Sequence, residues 1–162
     1  MTDFRIGYGY DVHALAAGEE LWLGGILVPH EKGAIGHSDA DVVLHVICDA
    51  LLGALGKRDI GYHFPDTEAA YKGIDSKKLL ASTYDLITDA GWQLGNLDVT
   101  LCLQRPKVGP FIDDMRMAIA GVMGVDLDQI SVKATTTEKL GFVGVEDGVS
   151  AHCVVLVSRS AR

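Results

Sequence analysis

The sequence predicts an α/β fold in a single domain. Three observations predict it: stretches that alternate apolar and polar residues with period two, stretches with apolar residues three and four apart, and an interleaving of the two without internal repeat or low-complexity segment. A chain of 162 residues is long enough to bury a substantial core. Its 14 basic and 22 acidic residues give a net charge of −8, and no basic stripe is present to follow a nucleic-acid backbone. No apolar run approaches the ~18 residues of a membrane span. The opening Met-Thr-Asp-Phe-Arg lacks the pattern of a secretory leader. Cys48, Cys102 and Cys153 are isolated and odd in number, which predicts reduced, mostly buried thiols in a cytoplasmic protein.

Residues 4–13 read as the first strand. Phe4, Ile6, Tyr8, Tyr10 and Val12 share one face, and Arg5, Gly7, Gly9, Asp11 and His13 share the other. Asp11 and His13 thus point the same way, beside glycines that leave room for a ligand or another backbone. Residues 21–29 read as a short edge hairpin, given Pro29, and residues 33–36 as a loop delivering His37 to a helix start. Ser38 and Asp41 have the spacing of a capping box, with Ser38 as N-cap. Residues 42–55 are apolar almost all round, the pattern of a buried helix. Asp41, His45 and Asp49 stand four apart on it, and polar groups in such a place must be hydrogen-bonded, paired or metal-bound.

Two imidazoles and a carboxylate, His13, His45 and Asp11, make the donor set of a zinc site that keeps its fourth position open. Asp41 or Asp49 could then hold an imidazole from behind. The plainer alternatives are a core histidine bonded to a carbonyl for His45 and a solvated face for Asp11 and His13. His37, just before a helix start, lies where anions are favoured, or is an ordinary exposed loop histidine.

Residues 59–67 show no period, and Gly61 and Pro65 fix their shape, so they read as a loop suited to binding residues or a lid. A second helix follows over residues 76–90, with Ser76 as cap and Gly91 as its end. Leu97, Val99, Leu101 and Leu103 alternate with Asp98, Thr100, Cys102 and Gln104 in a strand. Residues 105–110 form a turn that opens a third helix over 111–123. Ile130, Val132 and Ala134 begin another strand, and residues 150–157 supply a last, nearly all-apolar one. Between them runs Lys133-Ala-Thr-Thr-Thr-Glu-Lys-Leu-Gly-Phe142. Its hydroxyls, with Gly141 and Gly144, suit phosphate oxygens, and Glu138 is a hard carboxylate suited to Mg²⁺ or Mn²⁺. The P-loop order is absent, and an ordinary strand and turn is the plainer reading.

The ordered motifs Asp11-Val-His13, His37-Ser-Asp-Ala-Asp41 with His45, Asp59-Ile-Gly61, Phe64-Pro-Asp-Thr67 and residues 133–142 resemble the 2-C-methyl-D-erythritol 2,4-cyclodiphosphate synthase family over nearly the whole chain. The resemblance implies an α+β protomer, a mixed sheet with helices on one face like the bacterial chorismate mutase type, and a homotrimer with active sites between subunits. It implies zinc on Asp11, His13 and His45, and Mg²⁺ or Mn²⁺ on Glu138 with bound substrate. His37 and Thr136 would steady the transition state. Ser38, Asp59, Ile60, Gly61, Phe64, Pro65, Asp66, Thr67 and Glu68 would hold the methylerythritol phosphate end. Leu103, Gln104, Arg105, Pro106, Lys107, Val108, Gly109, Ala134, Thr135, Thr137 and Phe142 would receive the cytidine diphosphate part. The implied reaction closes 4-diphosphocytidyl-2-C-methyl-D-erythritol 2-phosphate to the cyclic diphosphate and releases CMP. One position departs. The family commonly carries an arginine where this chain has Val145, so the phosphate-binding charge that lines an axial cavity in some members is missing. Two rival readings are a zinc hydrolase of phosphate esters and a non-catalytic trimer with a structural metal.

Overall fold

A computed structural model describes residues 2–160. Its strands are β1 (Thr2–Ala17), β2 (Leu21–Leu23), β3 (Ile26–Val28), β4 (Lys32–Ala34), β5 (Gln93–Cys102), β6 (Ile130–Thr135) and β7 (Gly148–Ser160). The helices are α1 (Val42–Ala54), α2 (Ile60–His63), α3 (Ser76–Asp89), α4 (Ile112–Met123) and α5 (Gly141–Gly144). Five strands form a mixed sheet in the order β4-β1-β7-β5-β6, in which only β5 and β6 run parallel, and β2 with β3 makes the separate hairpin read from the sequence. Among the described residues no helix is long and apolar enough to cross a membrane.

One side of the sheet carries the core. Val149, Ala151, Cys153, Val155 and Val157 of β7 and Leu97, Val99 and Leu101 of β5 are buried against the helices. The same side of β1 presents Gly7 and Gly9, and their lack of a side chain lets α1 lie directly on the strand. A Cβ on Gly7 would stand 1.8 Å from the Ala50 carbonyl oxygen, and one on Gly9 would stand 2.3 Å from that of Val46. The room beside Asp11 and His13 is therefore filled by another backbone. The opposite side of the sheet is bare. Phe4, Ile6, Tyr8, Tyr10 and Val12 are all exposed there, as is Val154 of β7.

Three local expectations are corrected. Asp41, not Ser38, caps α1; its carboxylate accepts from the Val43 and Leu44 N–H groups. Asp75, not Ser76, caps α3, accepting from Lys77 N–H, and Ser76 opens the helix itself. Residues 59–67, read as loop, begin with the short α2, which Asp59 caps by accepting from Tyr62 N–H. In each case the residue that caps is the one whose short acceptor reaches a free N–H two or three positions on.

Candidate active site

Asp11 and His13 leave β1 on its helix side, and His45 meets them from the start of α1. Asp11 Oδ2 lies 3.0 Å from His13 Nε2 and 3.1 Å from His45 Nδ1, and the two ring nitrogens are 3.1 Å apart. Three donors so placed form a nearly equilateral triangle. A tetrahedral zinc shell with bonds of ~2.0–2.1 Å has donor–donor edges of ~3.3–3.4 Å, so the residues present fit a small cation.

The electrostatics point the same way. Burial works against ionising Asp11, but the His13 hydrogen bond and the charge of His13 and His45 outweigh it and hold the carboxyl well below the usual range. Burial also pulls His13 down, while the Asp11 hydrogen bond and charge, with the Ile35 carbonyl, leave it above its ordinary value. A proton is thus favoured inside the triangle, in the place a metal would take. His13 Nδ1 donates to the Ile35 carbonyl oxygen at 3.1 Å, which turns its Nε2 inward. His45 Nε2 lies 3.0 Å from Ser38 Oγ and 2.9 Å from Ser76 Oγ.

Neither Asp41 nor Asp49 holds an imidazole, contrary to expectation. Asp41 is fully buried and accepts four N–H bonds, from Gly24 (2.8 Å), Gly25 (2.6 Å), Val43 (3.1 Å) and Leu44 (3.0 Å). It ties the hairpin turn to the start of α1. Asp49 accepts from Ile60 N–H at 2.8 Å and so fixes α2 against α1. The residues that do touch the imidazoles are Ile35, Ser38 and Ser76, and the sequence marked Ser76 only as a helix cap. Ser38 accepts from Ala40 N–H at 3.2 Å.

A cavity of about 340 Å³ opens beside the triangle, lined by His13, His37, Ser38, His45, Ile60, Gly61, Phe64 and Asp66. Tyr71, Ile74 and Leu79 complete its wall and had no signal in the sequence beyond their apolar character. His37 is exposed at this site, its carbonyl accepting from Gly73 N–H at 2.7 Å. Of the motif around it, Asp59, Pro65, Thr67 and Glu68 do not line this cavity.

The second group of expected residues forms a separate cavity of about 280 Å³, lined by Leu103, Gln104, Pro106, Lys107, Val108, Gly109, Ala134, Thr135 and Thr136, with Ile112. Arg105 precedes a cis peptide to Pro106. Glu138 and Lys139 follow with positive φ of 54° and 64°, which turns the chain sharply after β6. The Thr136 hydroxyl donates to Glu138 Oε1 at 3.3 Å, and Thr137 donates to the Leu140 carbonyl at 2.7 Å. Phe142 packs at Gly148 instead of lining this cavity.

The two cavities share no lining residue. Asp11 pairs with Ala151, Ala151 with Leu101, and Leu101 with Ala134, so three strand spacings, ~14 Å, separate Asp11 from Ala134.

Known proteins agree with this architecture. The YgbB family matches residues 4–158. A 2-C-methyl-D-erythritol 2,4-cyclodiphosphate synthase of Bacteroides fragilis is 60% identical over 155 residues, covering 96% of this chain and 98% of that protein. The protein of the same name from Syntrophotalea carbinolica is 59% identical over 158 residues, 98% of this chain and 96% of its own. Among solved structures, the bifunctional IspDF from Campylobacter jejuni superposes with a TM-score of 0.95 at 38% identity over 99% of this chain, which spans only 43% of that longer protein. The CDP complex of IspF from Plasmodium falciparum gives a TM-score of 0.86 at 33% identity, covering 98% of this chain and 97% of the other. On the matched residues and on identity over almost its full length, this chain belongs to the YgbB family, the cyclodiphosphate synthases of the non-mevalonate isoprenoid pathway.

Proposed function

We propose that the protein converts 4-diphosphocytidyl-2-C-methyl-D-erythritol 2-phosphate to 2-C-methyl-D-erythritol 2,4-cyclodiphosphate and CMP. The observation that carries this reading is the donor triangle of Asp11, His13 and His45, opening onto a cavity that also holds His37 and Ser38. The 2-phosphate attacks the β-phosphorus, the bond to the CMP oxygen breaks on the far side, and no proton needs to be removed. A phosphate monoester with a second pKa near ~6 is already largely ionised at neutral pH, so the site requires no general base. Zinc on Asp11, His13 and His45, and Mg²⁺ or Mn²⁺ on Glu138 with bound substrate, would supply Lewis-acid neutralisation of the diphosphate.

The chain's own residues bind and orient. His37 and Thr136 offer N–H and O–H donors to the charge that develops at phosphorus. Ser38, with the segments 59–61 and 64–68, takes the methylerythritol phosphate end, and Phe64, Ile74 and Leu79 wall it from water. Segments 103–109 and 134–137, with Phe142, take the cytidine diphosphate part. Bringing the two ends of one substrate together is a positioning task, worth up to ~7–11 kcal/mol when orientation is good.

Since ~14 Å of sheet separates the halves within a protomer, we place each active site between two subunits of a homotrimer. The exposed apolar residues of β1 offer a face for that assembly. The three unpaired cysteines fit a reducing, cytoplasmic setting. Incubation with the cytidine substrate, read by phosphorus NMR, should give the cyclic diphosphate and CMP in equal amounts. CMP with a linear phosphate product would instead mark a metal-dependent hydrolase and end the cyclase reading.

A further inference from the structure

We propose that Ser76 and Asp39 are positioning residues that fix the hydrogen of His45 on Nε2 and so keep its Nδ1 free to bind metal. The inference rests on the metal reading of the triangle. A serine hydroxyl has one hydrogen to give, and an ionised carboxylate can only accept. Asp39 Oδ1 lies 2.5 Å from Ser76 Oγ, so the Ser76 hydrogen goes to Asp39. Asp39 is itself held in place, Oδ2 accepting from Ser76 N–H at 2.9 Å and Oδ1 from Asp41 N–H at 3.3 Å. With its hydrogen committed, the fully buried Ser76 meets His45 Nε2 at 2.9 Å only as an acceptor. Through Ser76, Nε2 is bonded only when it carries the ring hydrogen, and a neutral imidazole then leaves Nδ1 bare. Nδ1 is the atom that faces Asp11 and His13.

Two groups compete. Asp11 Oδ2, 3.1 Å from Nδ1, would accept a hydrogen there, but His13 Nε2 at 3.0 Å can supply that hydrogen instead. Ser38 is the second competitor. Its Oγ lies 3.0 Å from the same Nε2, accepts from Ala40 N–H, and has a hydrogen of its own to give. Were Ser38 to donate, the ring hydrogen would move to Nδ1 and block the metal position. Ser76 and Asp39 therefore decide between a donor triangle and a blocked one. They come from the start of α3 and the loop before α1, and neither reaches the triangle.

The test uses the full chain, with two readouts. Long-range proton–nitrogen NMR of the metal-free protein should show Nε2 of His45 protonated and Nδ1 bare. Ser76→Ala removes the acceptor, and Asp39→Ala frees the Ser76 hydrogen to donate; each should move the ring hydrogen toward Nδ1. Zinc affinity by chelator competition should fall about 10–100-fold in each variant. The double variant should lose no more than Ser76→Ala alone, because both act through one hydrogen. Ser76→Thr, which keeps the hydroxyl, should restore affinity to near the parent. A parent with its hydrogen on Nδ1, or a Ser76→Ala chain with parental zinc affinity, overturns the proposal, as do additive losses in the double variant. If Asp39→Ala does not fold, the two Ser76 variants and the parent spectrum still decide. A parent that takes up no zinc overturns the metal reading alone, and the ring spectrum still tests the Ser76–Asp39 pair.

Discussion

The two halves of the proposed site are built in opposite ways. The triangle of Asp11, His13 and His45 is assembled on a long strand and a buried helix, its side chains 25%, 16% and 12% exposed. The far half is a turn whose Glu138 and Lys139 sit in left-handed backbone and whose hydroxyls bond to their own neighbours. One half has its donors already converged; the other has donors that must turn outward to meet a ligand. Rigid elements suit an ion that has to be held through every turnover, and an exposed turn suits a nucleotide that must leave.

The most severe way to break the comparison is His45→Ala. Two remaining ligands hold zinc poorly, so metal content and turnover should both fall to background while the circular dichroism spectrum stays that of the parent. Full zinc occupancy in that variant would sink the assignment. Mixing subunits comes next in size. His45→Ala chains and Glu138→Ala chains, each nearly inactive, should recover roughly a quarter of parental activity after exchange in equal amounts. Half of the zinc halves and half of the facing turns are intact, and the halves combine at random. Mixed trimers seen by mass spectrometry but inactive would place both halves in one chain. Glu138→Gln should be milder, keeping zinc and requiring about tenfold more Mg²⁺ or Mn²⁺ for half-maximal rate. A titration overlaying that of the parent would give Glu138 another role.

The smallest expected effect is on stability, and it sharpens the contrast. His13 is raised in the folded chain, so its contribution is complete below its unfolded pKa and is lost as pH rises through the folded one. Asp11 is depressed, and its contribution is present above the ordinary carboxylate range and is lost as pH falls through that range toward its lowered folded value. Metal-free protein should therefore unfold at a lower temperature at pH 8.5 than at pH 5.5, and saturating zinc should reverse that order. Identical midpoints in the metal-free samples would show that the proton in the triangle contributes nothing.

Much of this was legible because periodicity reports on faces. Alternation along β1 put Asp11 and His13 on one side, and the apolar run of α1 announced its burial. Periodicity does not say which face turns inward. The aromatic and aliphatic face of β1 lies outside, since the glycine face is the only one that lets α1 approach. Nor does spacing say where a short polar side chain bends. Asp41 stands four residues before His45, yet as an N-cap it curls back onto the helix terminus and the Gly24–Gly25 turn. The pairing of Ser76 with Asp39 was invisible for a simpler reason. They are 37 residues apart, and only tertiary packing brings them together.

With a metal in the triangle, the contact of α1 with Gly7 and Gly9 would work as a gauge for ion size. Two of the three donors ride on β1 and the third on α1, so the gap between strand and helix is also the opening of the triangle. A missing side chain at two positions sets that gap, and it sets it by bare backbone contact, which yields little. Ions that prefer bonds of ~2.3–2.6 Å, such as Ca²⁺, would need the helix to stand farther off. A preference for a small cation would thus be written partly in residues that carry no donor atoms, and a designer wishing to change the ion would have to begin with the glycines.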